Sequence, residues 1–216
     1  MNVAVVIPCY NEECTIKDVI DDYKKYFDHI YVIDNNCTDN TVNIAKDCGA
    51  IILKETTQGK GAAIQKAFNE IDSDFIVLTD GDSTYRAKDS EVLTKYLIER
   101  DLDMVVGNRL NCGYFTSHQK LHGIGNKWFS KKASKLYNHK IKDLLSGSRV
   151  ISRELYKSIK LDYTGFEVET ELTKLCILNN YSIDYLDIDY LERPKDSKSS
   201  LNIIRDGFKI LLALFA

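Results

Sequence analysis

The chain lacks the signatures of several common classes. Its six cysteines, Cys9, Cys14, Cys37, Cys48, Cys112 and Cys176, form no C-x-x-C pair. That argues against a zinc ribbon or a disulfide framework and for reduced thiols in a cytosolic setting. Charge of neither sign dominates: the net charge is −3, so no global basic field invites nucleic acid. No apolar run reaches about eighteen residues, which excludes a full membrane span within the sequence. The N-terminus runs straight into Val3–Ile7, too short and uncharged for a signal peptide. No G-x-x-x-x-G-K-S/T occurs, so there is no P-loop. Gly59-Lys60-Gly61 lacks a third glycine and does not follow the first strand, so it is no dinucleotide fingerprint. Repeats and low-complexity segments are also missing. What remains is 216 residues, 44% hydrophobic and 28% charged, enough for one domain with a real core and a solvated surface.

The most telling stretch is Asp74–Tyr85. A short apolar run, Phe75–Thr79, ends in Asp80, Gly81 and Asp82. In open α/β sheets ligands sit beyond the carboxyl ends of strands. Two carboxylates there, with a glycine between them for close backbone approach, suit a hard divalent cation holding a diphosphate. Alone, the same residues also make an ordinary polar turn.

The neighbouring segments give that stretch its context. Val3–Ile7 is a continuous apolar run that stops at Pro8 and reads as a buried strand. Ile16, Val19, Ile20, Tyr23 and Phe27 recur at helical spacing. Ile30–Ile33, Ala50–Leu53 and Met104–Gly107 read as further strands. Helices are expected around Val42–Ala45, Ala63–Ile71 and Val92–Leu97. Alternation at this pitch predicts an α/β fold with a mostly parallel sheet covered by helices on both faces. Its polar loops then share one edge, bringing Tyr10–Glu12, Asp34–Asn36 and Asp80–Asp82 together.

The second half is less regular. His118–Tyr137 reads as a basic helix with Trp128 and Phe129, suited to a membrane surface or a phosphate-bearing acceptor, or simply amphipathic. His118 and His122 lie four apart, but Gln119 stands where a zinc protease has its Glu and no third ligand is apparent. Val150–Ser152 is expected as a strand, Glu167, Glu169 and Glu171 as the opening of a helix, and Ile183–Leu191 as an alternating strand. A basic loop with Arg193 and Lys198 follows. Leu201–Ala216 carries Phe208, Leu212 and Phe215 on one helical stripe, which reads as interfacial membrane contact or an oligomer seam. The expected division is 1–198 for the sheet domain and 199–216 for this helix.

Val5-Val6-Ile7-Pro8-Cys9-Tyr10-Asn11-Glu12, Val32-Ile33-Asp34-Asn35-Asn36-Cys37-Thr38-Asp39 and Asp80-Gly81-Asp82 resemble the opening motifs of inverting GT-A-type family 2 glycosyltransferases. Gly107-Asn108-Arg109, Asp143…Ser146-Gly147-Ser148-Arg149, Gly165-Phe166-Glu167-Val168-Glu169-Thr170-Glu171 and Arg193…Ser197-Lys198 narrow the resemblance to the dolichyl- and polyprenyl-phosphate sugar synthases. The resemblance implies a nucleotide-diphosphate sugar donor, a polyprenyl phosphate acceptor and Mg²⁺ or Mn²⁺ held by Asp80 and Asp82. It implies a nucleotide-sugar pocket lined by Pro8, Tyr10, Glu12, Asp34, Asn35, Lys60 and Gly81. Asn35 stands where the family usually has a second aspartate. Arg109, Arg193 and Lys198 would contact phosphate, and Asp143 and Arg149 would lie near the acceptor, with Asp82, Asp143 and Arg149 as the catalytic set. It also implies a peripheral position on the cytoplasmic face of a membrane, with a homo-oligomer or an anchoring partner left open. Transfer to a sugar hydroxyl, with Glu169 or Asp143 as base, and a non-catalytic binding module are the other readings.

Overall fold

The computed structural model describes the backbone of residues 1–111, 117–194 and 203–215, and the side chains of the same residues except 117–122 and 203–204. Lys198, the boundary at 198/199 and the His118–His122 pair of side chains lie outside the described residues.

The strands are β1 (Val3–Cys9), β2 (His29–Asp34), β3 (Ile51–Lys54), β4 (Phe75–Leu78), β5 (Met104–Asn108), β6 (Arg149–Ser152) and β7 (Ile183–Asp187). The helices are α1 (Ile16–Tyr23), α2 (Thr41–Asp47), α3 (Lys60–Glu70), α4 (Ala87–Glu99), α5 (Ser117–Leu136), α6 (Arg153–Ser158), α7 (Val168–Leu178) and α8 (Ile203–Phe215). The strands form one sheet in the order β3-β2-β1-β4-β6-β5-β7. β1 pairs in parallel with β2 and β4, β2 with β3, and β5 with β7. β6 alone runs the other way, antiparallel to both β4 and β5. The mostly parallel sheet is therefore as expected, and its reversed strand has a consequence for the site. The carboxyl ends of the other strands and the amino end of β6 meet at the same edge.

The apolar run of β1 is continuous because both sheet faces are covered. Ala4 and Val6 join a core with α3, α6 and α7, whereas Val5 and Ile7 join a core with α1 and α4. The two-residue period survives as a division between cores instead of an inside and an outside.

Two elements depart from expectation, α6 and β7. The short α6 was not read from the sequence, although Ser152 caps it by accepting from the backbone N–H of Leu155. β7 stops at Asp187, not at Leu191. Asp187 is held sideways by the Nδ2 groups of Asn108 and Asn111, and beyond it Leu191 N–H donates to the Thr84 carbonyl at 2.9 Å. The alternating residues past Asp187 thus belong to a strap that crosses towards β4. α8 buries Asp206, Ile210, Ala213 and Leu214, and Tyr137 Oη donates to the Leu214 carbonyl at 2.7 Å. Its Phe208, Leu212 and Phe215 remain exposed. Among the described residues no helix is long and apolar enough to cross a membrane.

Candidate active site

The first three polar loops do converge. The backbone N–H of Asn35 donates to the Cys9 carbonyl at 3.0 Å, which ties the ends of β1 and β2. Thr15 Oγ1 donates to the Gly81 carbonyl at 2.7 Å, which ties the loop after β1 to the Asp-Gly-Asp turn. A Cβ on Gly81 would lie 3.1 Å from Cys9 Sγ and 3.4 Å from Glu12 Cγ. The glycine is there because another loop approaches it closely. Pro8 is half-buried in β1 and Tyr10 is exposed at the rim. Asp34 is buried, and its Oδ1 accepts from the Cys37 N–H at 2.9 Å, so it shapes its own turn.

Asn35 does something other than present an amide to a base. It is buried; its Nδ2 donates to the carbonyls of Thr57 at 2.7 Å and Glu55 at 3.2 Å, and its Oδ1 accepts from Gly59 N–H at 2.6 Å. Both faces of the amide are spent on the loop that leads into α3. A carboxylate there would face two carbonyl oxygens, which explains an amide at this position. The backbone donors opening α3 are also engaged: Gly61 and Ala62 N–H both donate to the Thr164 carbonyl. Phosphate binding by this helix start is therefore not what its geometry offers. Lys60 turns inward instead, with Nζ 2.5 Å from Asp80 Oδ1 and 2.6 Å from Glu169 Oε1.

Asp80 and Asp82 sit at the centre of a ring of charge. Burial works to raise the pKa of Asp80, but Lys60, Arg109 and Arg193 together hold it below the usual carboxylate range. Asp82 Oδ1 accepts from Thr84 Oγ1 at 2.6 Å and from Thr84 N–H at 3.1 Å, and its Oδ2 accepts from Arg193 Nη2. Gly147 comes in beneath Asp80; a Cβ on it would stand 2.7 Å from Asp80 Oδ2. Glu12 faces this cluster, and burial and then Asp82 push its carboxyl up to about 7. Among the described residues no group of three or more His, Cys, Asp or Glu is arranged to hold a metal. Asp80 and Asp82 would offer a divalent cation two hard carboxylates, leaving other positions for a diphosphate and water, as Mg²⁺ favours.

The fourth candidate group, Asp143 and Arg149, is buried. Asp143 is completely buried, and it accepts from Arg109 through N–H (3.0 Å), Nε (2.9 Å) and Nη2 (3.0 Å), and from Asn126 Nδ2 at 2.6 Å. Burial would raise its pKa, yet Arg109 and these hydrogen bonds hold it below the usual range. In this arrangement its carboxylate orients Arg109. Arg149 is likewise fully buried. Its guanidinium donates to the carbonyls of Ser146 and Leu144 and to Thr173 Oγ1. It ties the start of β6 to α7 and so holds the Ser146–Ser148 turn under Asp80. Burial lowers its pKa, but an arginine stays charged.

Several participants escaped the sequence reading. Tyr85 Oη accepts from Gly147 N–H at 3.0 Å, which fixes the turn under Asp80. Tyr190 packs on Tyr85 with ring centroids 5.5 Å apart and lies beneath the Arg109 guanidinium at 5.2 Å. Asn126 carries no motif at all. Tyr85 ended the most telling stretch and could have been suspected; Tyr190 and Asn126 are defined only by tertiary contact.

Sheet order and the single reversed strand define a GT-A-type α/β fold. Residues 4–160 match the family model for "Glycosyl transferase family 2", and the chain belongs to that family. It is 33% identical to the glycosyltransferase AglJ of Haloferax volcanii over 99% of this chain and 71% of that protein. It is 32% identical to a dolichyl-phosphate hexose transferase of the same organism, over 91% of this chain and 86% of that one. Glucosyl-3-phosphoglycerate synthase from Mycobacterium tuberculosis, solved with Mn²⁺, UDP and glucosyl-3-phosphoglycerate, superposes with a TM-score of 0.79. That match covers 99% of this chain and 78% of the other at 21% identity, and shows the shared fold.

Proposed function

We propose that this glycosyltransferase moves a sugar, with inversion, from a nucleotide-diphosphate sugar to a polyprenyl phosphate. The observation that carries the reading is that both candidate bases are locked onto cations. Asp143 is bound to Arg109 and Glu169 to Lys60, so neither carboxylate is set to deprotonate a sugar hydroxyl. An acceptor phosphate is already ionised near neutral pH and needs no base. Its oxygen attacks the anomeric carbon, the bond from that carbon to the diphosphate oxygen breaks, and the diphosphate leaves with the electron pair. No proton has to move.

Asp80 and Asp82 would hold Mg²⁺ or Mn²⁺, whose charge stabilises the leaving diphosphate. Arg109 and Arg193 add fixed positive charge beside it, and Lys60 keeps Asp80 ionised and oriented. Pro8, Tyr10 and Glu12 form the wall for the nucleoside. Support for a lipid phosphate comes from relatives: the dolichyl-phosphate hexose transferase above, and a UDP-N-acetylglucosamine–dolichyl-phosphate N-acetylglucosaminyltransferase of Methanococcus voltae, 26% identical over 97% of this chain. The exposed Phe208, Leu212 and Phe215 of α8, with Trp128 on the basic α5, suit peripheral contact with the cytoplasmic face of a membrane. Residues 1–198 would then act as the catalytic unit and 199–216 as the contact helix.

The test is lipid-extractable radiolabel. Protein is mixed with undecaprenyl or dolichyl phosphate in detergent, Mg²⁺ or Mn²⁺, and labelled UDP-glucose, GDP-mannose and related donors in turn. Label entering the organic phase is expected with one donor. Label appearing only on a water-soluble sugar acceptor would overturn the lipid reading.

A further inference from the structure

Helix α5 carries its side chains the wrong way round for a helix that faces only water. Such a helix turns its large apolar residues inward and its polar ones outward. In the second half of α5 the buried positions are Asn126, Ser130 and Ala133, whereas Ile124, Trp128 and Leu136 are 68%, 48% and 46% exposed. Phe129 packs part-buried against the core, so the helix is seated and those three side chains are left outside. Among them stand Lys127, Lys131, Lys132 and Lys135, all exposed. Lys127, Lys131 and Lys135 follow at one-turn spacing, beside Ile124 and Trp128. The Lys132 ammonium lies 5.5 Å from the centre of the Trp128 ring. Ser117–Leu136 contains no Asp or Glu, in a chain with 32 of them. Next to Lys127 and Lys131 opens a cavity of about 370 Å³, whose wall also includes Lys142, Ser130 and Asn111.

We propose that this face of α5 is a docking surface for a bilayer leaflet rich in anionic phospholipid. Ile124, Trp128 and Leu136 enter the boundary between headgroups and acyl chains, and the four lysines meet headgroup phosphates. The cavity seats one phosphate among Lys127, Lys131 and Lys142. Two features select this occupant. Apolar side chains and lysines share one arc of the helix, and a lipid surface satisfies both, because it offers hydrocarbon and phosphate at adjacent depths. Four positive charges also crowd this face of a chain whose net charge is −3, so attraction to an anionic leaflet turns α5 towards it. A neutral leaflet would accept Trp128 but leave the lysines without counter-charge. This rests on the proposed contact with a membrane, and adds which helix senses the leaflet and which charge it senses.

The experiment sediments the full chain with vesicles, without donor, at low and high salt. The vesicles are phosphatidylcholine alone, phosphatidylcholine with phosphatidylglycerol, and phosphatidylcholine with undecaprenyl phosphate. One variant is Trp128→Ala. A second combines Lys127→Gln, Lys131→Gln, Lys132→Gln and Lys135→Gln. A third makes the same change of charge elsewhere, with Lys46→Gln, Lys54→Gln, Lys88→Gln and Lys160→Gln at exposed positions off α5. Wild type is expected to bind the phosphatidylglycerol vesicles, and less so at high salt. Binding falls about fivefold for each lysine removed from α5, and about tenfold in Trp128→Ala. The third variant binds as wild type does. Equal binding to phosphatidylcholine alone, no binding to any vesicle, or an equal loss in the third variant overturns the surface. Recruitment by undecaprenyl phosphate and not by phosphatidylglycerol overturns it in favour of an acceptor site on α5. The detergent assay contains no bilayer, so lipid-linked label there without vesicle binding here sinks the surface and spares the reaction. Vesicle binding without label sinks the reaction and spares the surface.

Discussion

Replacing Asp143 with Asn separates positioning from base catalysis. The wild-type carboxylate is fully buried and accepts four hydrogen bonds, three from Arg109 and one from Asn126. An amide offers one acceptor oxygen and turns donors towards the guanidinium, so Arg109 loses its buried counter-charge. Removing one partner of a buried pair costs about 3–5 kcal/mol. That is less than the upper part of the usual 5–15 kcal/mol range of domain stability, so a folded variant is expected. With a urea m-value of about 2–3 kcal/mol/M, the denaturation midpoint falls by about 1–2.5 M. Because the stress comes from the stranded arginine, Arg109→Met added to Asp143→Asn recovers part of the loss, a coupling readable in a double-mutant cycle. Activity falls because Arg109 is no longer aimed, but the pH–rate profile keeps its acidic limb. Wild-type stability combined with loss of that limb would refute this account and make Asp143 a base.

Other consequences are equally direct. Asp80→Asn or Asp82→Asn is expected to reduce turnover by about 10²-fold or more at saturating Mg²⁺ or Mn²⁺, measured in the lipid-extraction assay; near-normal rates in both would remove the metal assignment. Glu12, raised from 4.5 to about 7, binds a proton more readily in the folded protein. Its contribution to stability is full below pH 4.5 and is lost as pH rises through about 7. Glu12→Gln should flatten that decline and, after allowing for solvent screening, gain about 1 kcal/mol relative to wild type at pH 8, read from urea midpoints at pH 5 and pH 8. Asn35→Asp sets a carboxylate against the Glu55 and Thr57 carbonyls, costs about 2 kcal/mol and lowers Tm by about 4–8 °C by calorimetry.

The elements legible in advance were those whose signal is local. β1, β2 and β4 are short, apolar and followed by polar loops, and the parallel rule brings those loops together without further information. Asp80 and Asp82 follow from that placement. What was not legible is the direction in which a buried polar side chain turns. Asp143, Arg149, Asn35 and Lys60 all sit in motifs beside the site, and a motif gives position along the chain, not orientation. Arg149 opens β6, a central strand, and pairs with both Leu78 and Val106. There, with neighbours on both sides, its guanidinium finds carbonyls beneath the sheet edge. The strap past Asp187 was misread for a related reason. Its residues alternate like a strand, but Asn108 and Asn111 capture Asp187 and end the ladder.

These inward turns explain how acidic groups gather at one edge of a protein with a net charge of −3. Asp80, Asp82, Asp143 and Glu169 would repel one another if left alone, and burial would drive them neutral. Lys60 bridges Asp80 and Glu169, Arg109 covers Asp143, and Arg193 meets Asp82. Three cations thus serve the four carboxylates, and they come from three places: α3, the residue after β5, and the strap. The matching is strongest where both partners are buried and weakest at Arg193, whose side chain is the most exposed of the three cations.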